Sequence, residues 1–77
     1  MNSRLSSIDA RQLIKVLKKI GFAERRQTGS HLILRHPETG KIIPVPIHKN
    51  KDLKKGTLRS ILKTANLSVK EFKKLLK

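Results

Sequence analysis

Gly29-Ser30-His31-Leu32-Ile33-Leu34-Arg35-His36 is the stretch whose reading organises the rest of the chain. Glycine and serine mark a turn, and the six residues after them carry the strongest strand pattern in the sequence. Successive side chains of an extended chain leave on opposite faces, so Leu32 and Leu34 share one face while His31, Ile33 and Arg35 share the other. With helices laid over the leucine face, His31 and Arg35 project together from an open face. A titratable imidazole then stands next to a turn where a ligand can reach it.

Towards the N-terminus, Glu24 to Thr28 is polar and charged and reads as a short edge strand. Thr28-Gly29 turns it into the central strand, and Gly29 is explained as a turn residue needing positive φ. Before it, Ala10, Leu13, Ile14, Val16, Leu17 and Ile20 recur at helical spacing, with Lys15, Lys18 and Lys19 largely on the other face. Ser6-Ser7-Ile8-Asp9 reads as a capping box, the Ser6 hydroxyl at the helix start and the Asp9 carboxylate reaching back. Gly21 supplies the left-handed residue that ends the helix, and Phe22 packs back onto it. Met1 to Leu5 is expected to be a flexible lead-in.

Towards the C-terminus, Pro37-Glu38-Thr39-Gly40 is a turn, and Lys41 to Ile47 reads as a third strand despite Pro44 and Pro46. Residues two apart direct their missing N–H groups to the same side. Both prolines therefore point to a free edge while Ile43, Val45 and Ile47 pair with the central strand. Lys49 to Lys55 is a basic loop. A second helix begins near Gly56-Thr57, with Leu58, Ile61, Leu62 and Ala65 as its apolar stripe and Arg59 and Lys63 as an i,i+4 basic pair. Asn66 suits a left-handed helix end, and Ser68-Val69-Lys70-Glu71 is a second capping box that opens a short helix carrying Phe72, Leu75 and Leu76. The expected fold class is α+β: helix, three-stranded antiparallel sheet, helix and short C-terminal helix.

The 77 residues make one domain, of a size that buries only about 60% of the surface exposed by the unfolded chain. Lysine and arginine number 19 against 5 acidic residues, a net charge of +14 that implies an anionic partner: nucleic acid, an anionic membrane or an acidic protein. There is no cysteine, and His31, His36 and His48 are too scattered and too poor in neighbouring carboxylates for a zinc site. No metal or other cofactor is expected. The chain has no run of about 18 apolar residues and no signal-peptide pattern, which points to a cytoplasmic protein with no membrane partner.

Gly29-Ser30-His31, with Gly21-Phe22 and Arg26-Gln27 before it, and Pro44-Val45-Pro46, Lys54-Lys55-Gly56-Thr57-Leu58-Arg59 and Ile61-Leu62-Lys63 after it, resembles the HicA family of bacterial and archaeal toxins. The resemblance covers nearly the whole chain and rests on two separated motifs in the right order at compatible spacing. It implies a double-stranded-RNA-binding-domain-like fold spanning 1–77, endoribonuclease activity on messenger RNA, and inhibition by a HicB-type antitoxin. The family's catalytic histidine carries over to His31. Three positions depart from commoner members: Leu32 stands where a second histidine often follows, only Phe22 remains of a larger aromatic, and Asn66 replaces a glycine. The first of these leaves a single-histidine site.

Cleaving RNA without a metal requires taking the proton of a 2′-hydroxyl and returning one to the leaving 5′-oxygen, and an imidazole with its ordinary pKa of ~6.5 suits both tasks. His31 is the expected general acid or base, Ser30 or the Gly29 N–H the expected phosphate contact, and Arg35 or a nearby lysine the stabiliser of the transferring group. Lys49, Lys51, Lys54, Lys55, Arg59 and Lys63 are the expected grip on RNA backbone. His36 and His48 read as structural residues beside a turn and in a loop. With 3% aromatics, base stacking is not the expected mode of recognition. The same residues also suit a non-catalytic RNA-binding module, in which His31 only touches backbone.

Overall fold

The computed structural model describes residues 8–47 and 52–76. Its elements are α1 (Ala10–Lys19), β1 (Ala23–Gln27), β2 (His31–Arg35), β3 (Ile42–Pro46), α2 (Lys55–Thr64) and α3 (Val69–Leu76). The strands form one antiparallel sheet in the order β1-β2-β3, so the strand carrying His31 is central. This is the α+β arrangement indicated by the sequence.

The start of α1 differs from the Ser6 box. Asp9 is itself the N-cap: its Oδ1 accepts the Gln12 N–H at 2.9 Å, and Gln12 Oε1 accepts the Asp9 N–H at 3.0 Å. Asp9 thus takes the hydroxyl residue's part in the box, not the reaching acid's. The reason is tertiary. Leu53 N–H donates to the Ile8 carbonyl at 2.7 Å and Asp9 bridges to Asp52, which holds Ile8-Asp9 extended, so that the helix begins after Asp9. Ser6 and the Met1–Leu5 lead-in lie outside the described residues.

Both long helices end in the same way. Gly21 (φ 107°) follows α1, with its N–H on the Lys18 carbonyl and that of Phe22 on the Leu17 carbonyl. Asn66 (φ 60°) follows α2, with its N–H on the Lys63 carbonyl and that of Leu67 on the Leu62 carbonyl. These paired bonds satisfy carbonyls the helix leaves free. At α3 the Ser68–Glu71 box forms as expected, Ser68 N–H to Glu71 Oε1 and Glu71 N–H to Ser68 Oγ, each at 3.0 Å.

The helices cover the leucine face. Along β2 Leu32 and Leu34 are buried while His31, Ile33 and Arg35 are half-buried. The core joins Leu13, Val16 and Leu17 of α1 to Leu34, Ile43 and Val45 of the sheet, to Leu58, Ile61 and Leu62 of α2, and to Phe72, whose ring is wholly enclosed. Lys19 Nζ also donates to the Leu75 carbonyl at 2.6 Å, tying α1 to α3. On β1 all five residues are exposed, the register shifts between Glu24 and Arg26, and Glu24 pairs with Lys18. Charges and a bulge on an edge strand discourage further strand pairing. Among the described residues no helix is long and apolar enough to cross a membrane.

Candidate functional site

Thr28 and His31 close the β1–β2 hairpin. The Thr28 N–H donates to the His31 carbonyl at 2.8 Å and the Thr28 hydroxyl donates to the same oxygen at 3.2 Å, leaving Gly29 and Ser30 as a two-residue loop. Gly29 departs from expectation: among the described residues only Gly21, Gly40 and Asn66 have positive φ. The bulge adds twist to β1, and the two Thr28 bonds hold the loop shut without a left-handed residue. A Cβ at Gly29 would meet nothing within 4 Å. Neither backbone conformation nor packing requires glycine here.

Inside this loop the Ser30 Oγ lies 3.0 Å from His31 Nδ1. If Nδ1 carries the proton it donates to Ser30 Oγ, and the Nε2 lone pair is free to act as a base; the reversed bond puts the proton on Nε2. The sequence shows no carboxylate placed to orient this ring, and the neighbouring hydroxyl takes that part. Across the sheet His31 faces Pro46. Its side chain stands on the wall of a groove of about 510 Å³ that runs between the free edge of β3 and the face of α2 carrying Gly56, Thr57, Ser60 and Thr64.

The other expected site residues are dispersed. Arg35 shares the open face with His31, but four residues along a strand is about 13 Å, and its Nη2 reaches instead to within 3.9 Å of where a Gly40 Cβ would be. Lys54 is the N-cap of α2 and Lys55 its first residue, both exposed and next to Gly56 at the groove. Arg59 and Lys63 line a different groove, of about 580 Å³, between α2 and α3 with Asn66, Ser68 and Glu71. Residues 59 and 63 lie one turn apart and about 100° round the helix from Ser60 and Thr64, so this basic pair turns away from the groove that holds His31. Lys49, Lys51 and His48 lie outside the described residues.

Sequence reasoning passed over the groove walls. The hydroxyls of Thr57, Ser60 and Thr64 fall at i, i+3 and i+7, a helical stripe legible in the sequence once α2 is placed. The second described histidine is employed differently. His36 Nδ1 accepts the N–H groups of Glu38 at 3.2 Å and Thr39 at 3.4 Å, so its proton sits on Nε2, 3.1 Å from the Ile20 carbonyl it donates to. Its ring meets Phe22 edge-on with centroids 5.1 Å apart. His36 is a fastener between the β2–β3 turn and the end of α1, in keeping with its structural reading.

A family model described as the HicA toxin of bacterial toxin-antitoxin matches residues 10–67. The matched span runs from the first residue of α1 to the residue after the Asn66 turn. No curated protein matches the chain.

Proposed function

The chain belongs to the HicA toxin family of bacterial toxin–antitoxin systems, and from that membership we propose that it is an endoribonuclease that cleaves messenger RNA with His31, without a metal, and is silenced by a HicB-type antitoxin. The observation that carries the assignment to His31 is the Ser30 Oγ to His31 Nδ1 contact of 3.0 Å on the wall of an open groove. With the Nδ1 proton donated to Ser30, Nε2 takes the proton of the 2′-hydroxyl as the O2′–P bond forms. The P–O5′ bond breaks, the imidazolium returns its proton to the departing 5′-oxygen, and a 2′,3′-cyclic phosphate and a 5′-hydroxyl remain. General acid–base help of this kind is worth roughly 100- to 10,000-fold.

Lys54 and Lys55, exposed at the start of α2 and next in sequence to Gly56 of the groove, serve as cations for substrate phosphate. The Gly29 N–H meets phosphate beside the reacting centre, Ser30 orients the ring, and Arg35, Arg59 and Lys63 serve RNA backbone farther out. The whole chain acts as one RNA-cleaving domain, with α3 completing its core through Phe72. An acidic antitoxin laid over His31 would oppose a net charge of +14 and block substrate by occupancy and by charge. The neighbouring gene is expected to encode it.

Incubation with end-labelled single-stranded RNA in the presence of a chelator tests the reading. Cleavage that disappears in the His31→Ala variant supports it. Parental cleavage rates in that variant overturn the assignment of His31, and RNA binding without cleavage by the parent chain makes the protein an RNA-binding module instead.

A further inference from the structure

We propose that the groove between β3 and α2 is a nucleoside subsite that prefers ribose to deoxyribose because one of its walls is a row of hydrogen-bond acceptors. The proposal rests on the ribonuclease reading above and assigns a new site next to its reacting centre.

The acceptor wall follows from the parity of β3. Ile47 N–H donates to the Ser30 carbonyl at 2.8 Å, so residues 43, 45 and 47 turn their backbone groups towards β2 and residues 42, 44 and 46 turn theirs outward. Two of the outward three are proline. The outer edge therefore presents the carbonyls of Ile42, Pro44 and Pro46 and a single N–H, that of Ile42. A further strand needs donors and acceptors in alternation and finds no match on such an edge. A row of carbonyls beside His31 is matched by a ligand rich in donors. The ribose 2′-hydroxyl is such a donor, and deoxyribose lacks it.

Thr57, Ser60 and Thr64 line the opposite wall, and Thr64 donates its own proton to the Ser60 carbonyl at 3.2 Å, so that its lone pairs are left to accept. Gly56 stands at the end of this wall near His31, and a Cβ there would meet nothing within 4 Å. The fold does not need glycine in this first helical turn, where alanine would serve the helix better. Its absent side chain keeps the groove mouth open. At the far end Lys41 Nζ donates to the Thr64 carbonyl at 3.0 Å and clasps β3 to α2. Ile42, 54% exposed, and the two proline rings supply apolar contact without aromatic stacking. The volume of about 510 Å³ is in the range of small-ligand sites. The net charge of +14, with Lys54 and Lys55 at the start of α2, favours a polyanion as the occupant.

The test uses the His31→Ala chain, so that substrate stays intact, with fluorescein-labelled single-stranded RNA and DNA of one sequence followed by fluorescence anisotropy. RNA is expected to bind about tenfold tighter than DNA, the worth of roughly one good hydrogen bond. Adding Gly56→Leu is expected to erase that preference with a thermal midpoint no lower than the parent's, whereas adding Lys15→Ala, on the far helix, leaves it intact. Equal affinity for RNA and DNA overturns the subsite, and so does an RNA preference that survives Gly56→Leu. Should Gly56→Leu fail to fold, Gly56→Ala is measured alongside amide chemical shifts of residues 56–64 on RNA addition, and shifts confined elsewhere overturn it. Failure of the ribonuclease reading shows separately, as an absence of cleavage products with the parent chain.

Discussion

Gly21 and His36 are locked together: a Cβ built on Gly21 would stand 2.6 Å from His36 Nε2, the atom bonded to the Ile20 carbonyl. Gly21 also holds φ 107°, which a side chain rarely adopts. Gly21→Ala therefore displaces the His36 ring and strains the helix end at once, and is expected to cost about 2–4 kcal/mol in denaturant unfolding. Gly29→Ala meets neither obstacle and is expected to stay within about 0.5 kcal/mol of the parent. A Gly29→Ala chain that keeps its stability yet loses RNA cleavage would mark Gly29 as a point of substrate approach.

Ser30→Ala removes the hydroxyl that holds the His31 ring at Nδ1. Cleavage is expected to fall about tenfold, the value of one hydrogen bond expressed in the transition state. Ser30→Thr keeps a hydroxyl and is expected to recover most of the rate. Unchanged rates in Ser30→Ala would remove the serine from the mechanism.

Lys54 and Lys55 open α2 while Arg59 and Lys63 line the groove between α2 and α3, and salt titrations of RNA affinity should tell the two pairs apart. The Lys54→Ala/Lys55→Ala chain is expected to lower the slope of log K against log salt by about 1.4, at about 0.7 for each single-strand phosphate left without its cation. Arg59→Ala/Lys63→Ala, turned towards α3, is expected to change the slope less. The reverse order would place the RNA path over α2–α3.

Glu71 has its carboxyl held below the ordinary carboxylate range, first by the Ser68 backbone N–H, then by the Ser68 side chain, with Lys74 helping. Because the folded value is the lower one, the stabilisation is complete above the unfolded-state value and is lost as pH falls through the folded one. The stability difference between the parent and Glu71→Gln is therefore expected to be largest near neutrality and to shrink as the solution is acidified below about pH 4. A difference that grows on acidification would contradict the capping role.

Much of this architecture is local and was legible for that reason. The alternation Leu32–Leu34 against His31–Ile33–Arg35 needs only the geometry of an extended chain, and the buried and half-buried residues of β2 follow it. The outward prolines of β3, the left-handed Asn66 and the Ser68–Glu71 box depend on neighbours in sequence and stand where local chemistry puts them. The start of α1 was not legible, because Leu53 and Asp52, more than forty residues on, hold Ile8-Asp9 extended. Neither was the φ of Gly29, which the hydrogen bonds of Thr28 decide.

By itself the sequence determined the order of elements, the face on which His31 emerges, and the net charge of +14. Each follows from residue type and a period of two or 3.6. The tertiary structure alone decided what His31 faces. Docking α2 through Leu58 and Ile61 against the sheet set a stripe of hydroxyls opposite the carbonyl edge of β3 and turned Arg59 and Lys63 away towards α3. Periodicity states which residues share a face, but only packing between elements distant in sequence states which faces meet.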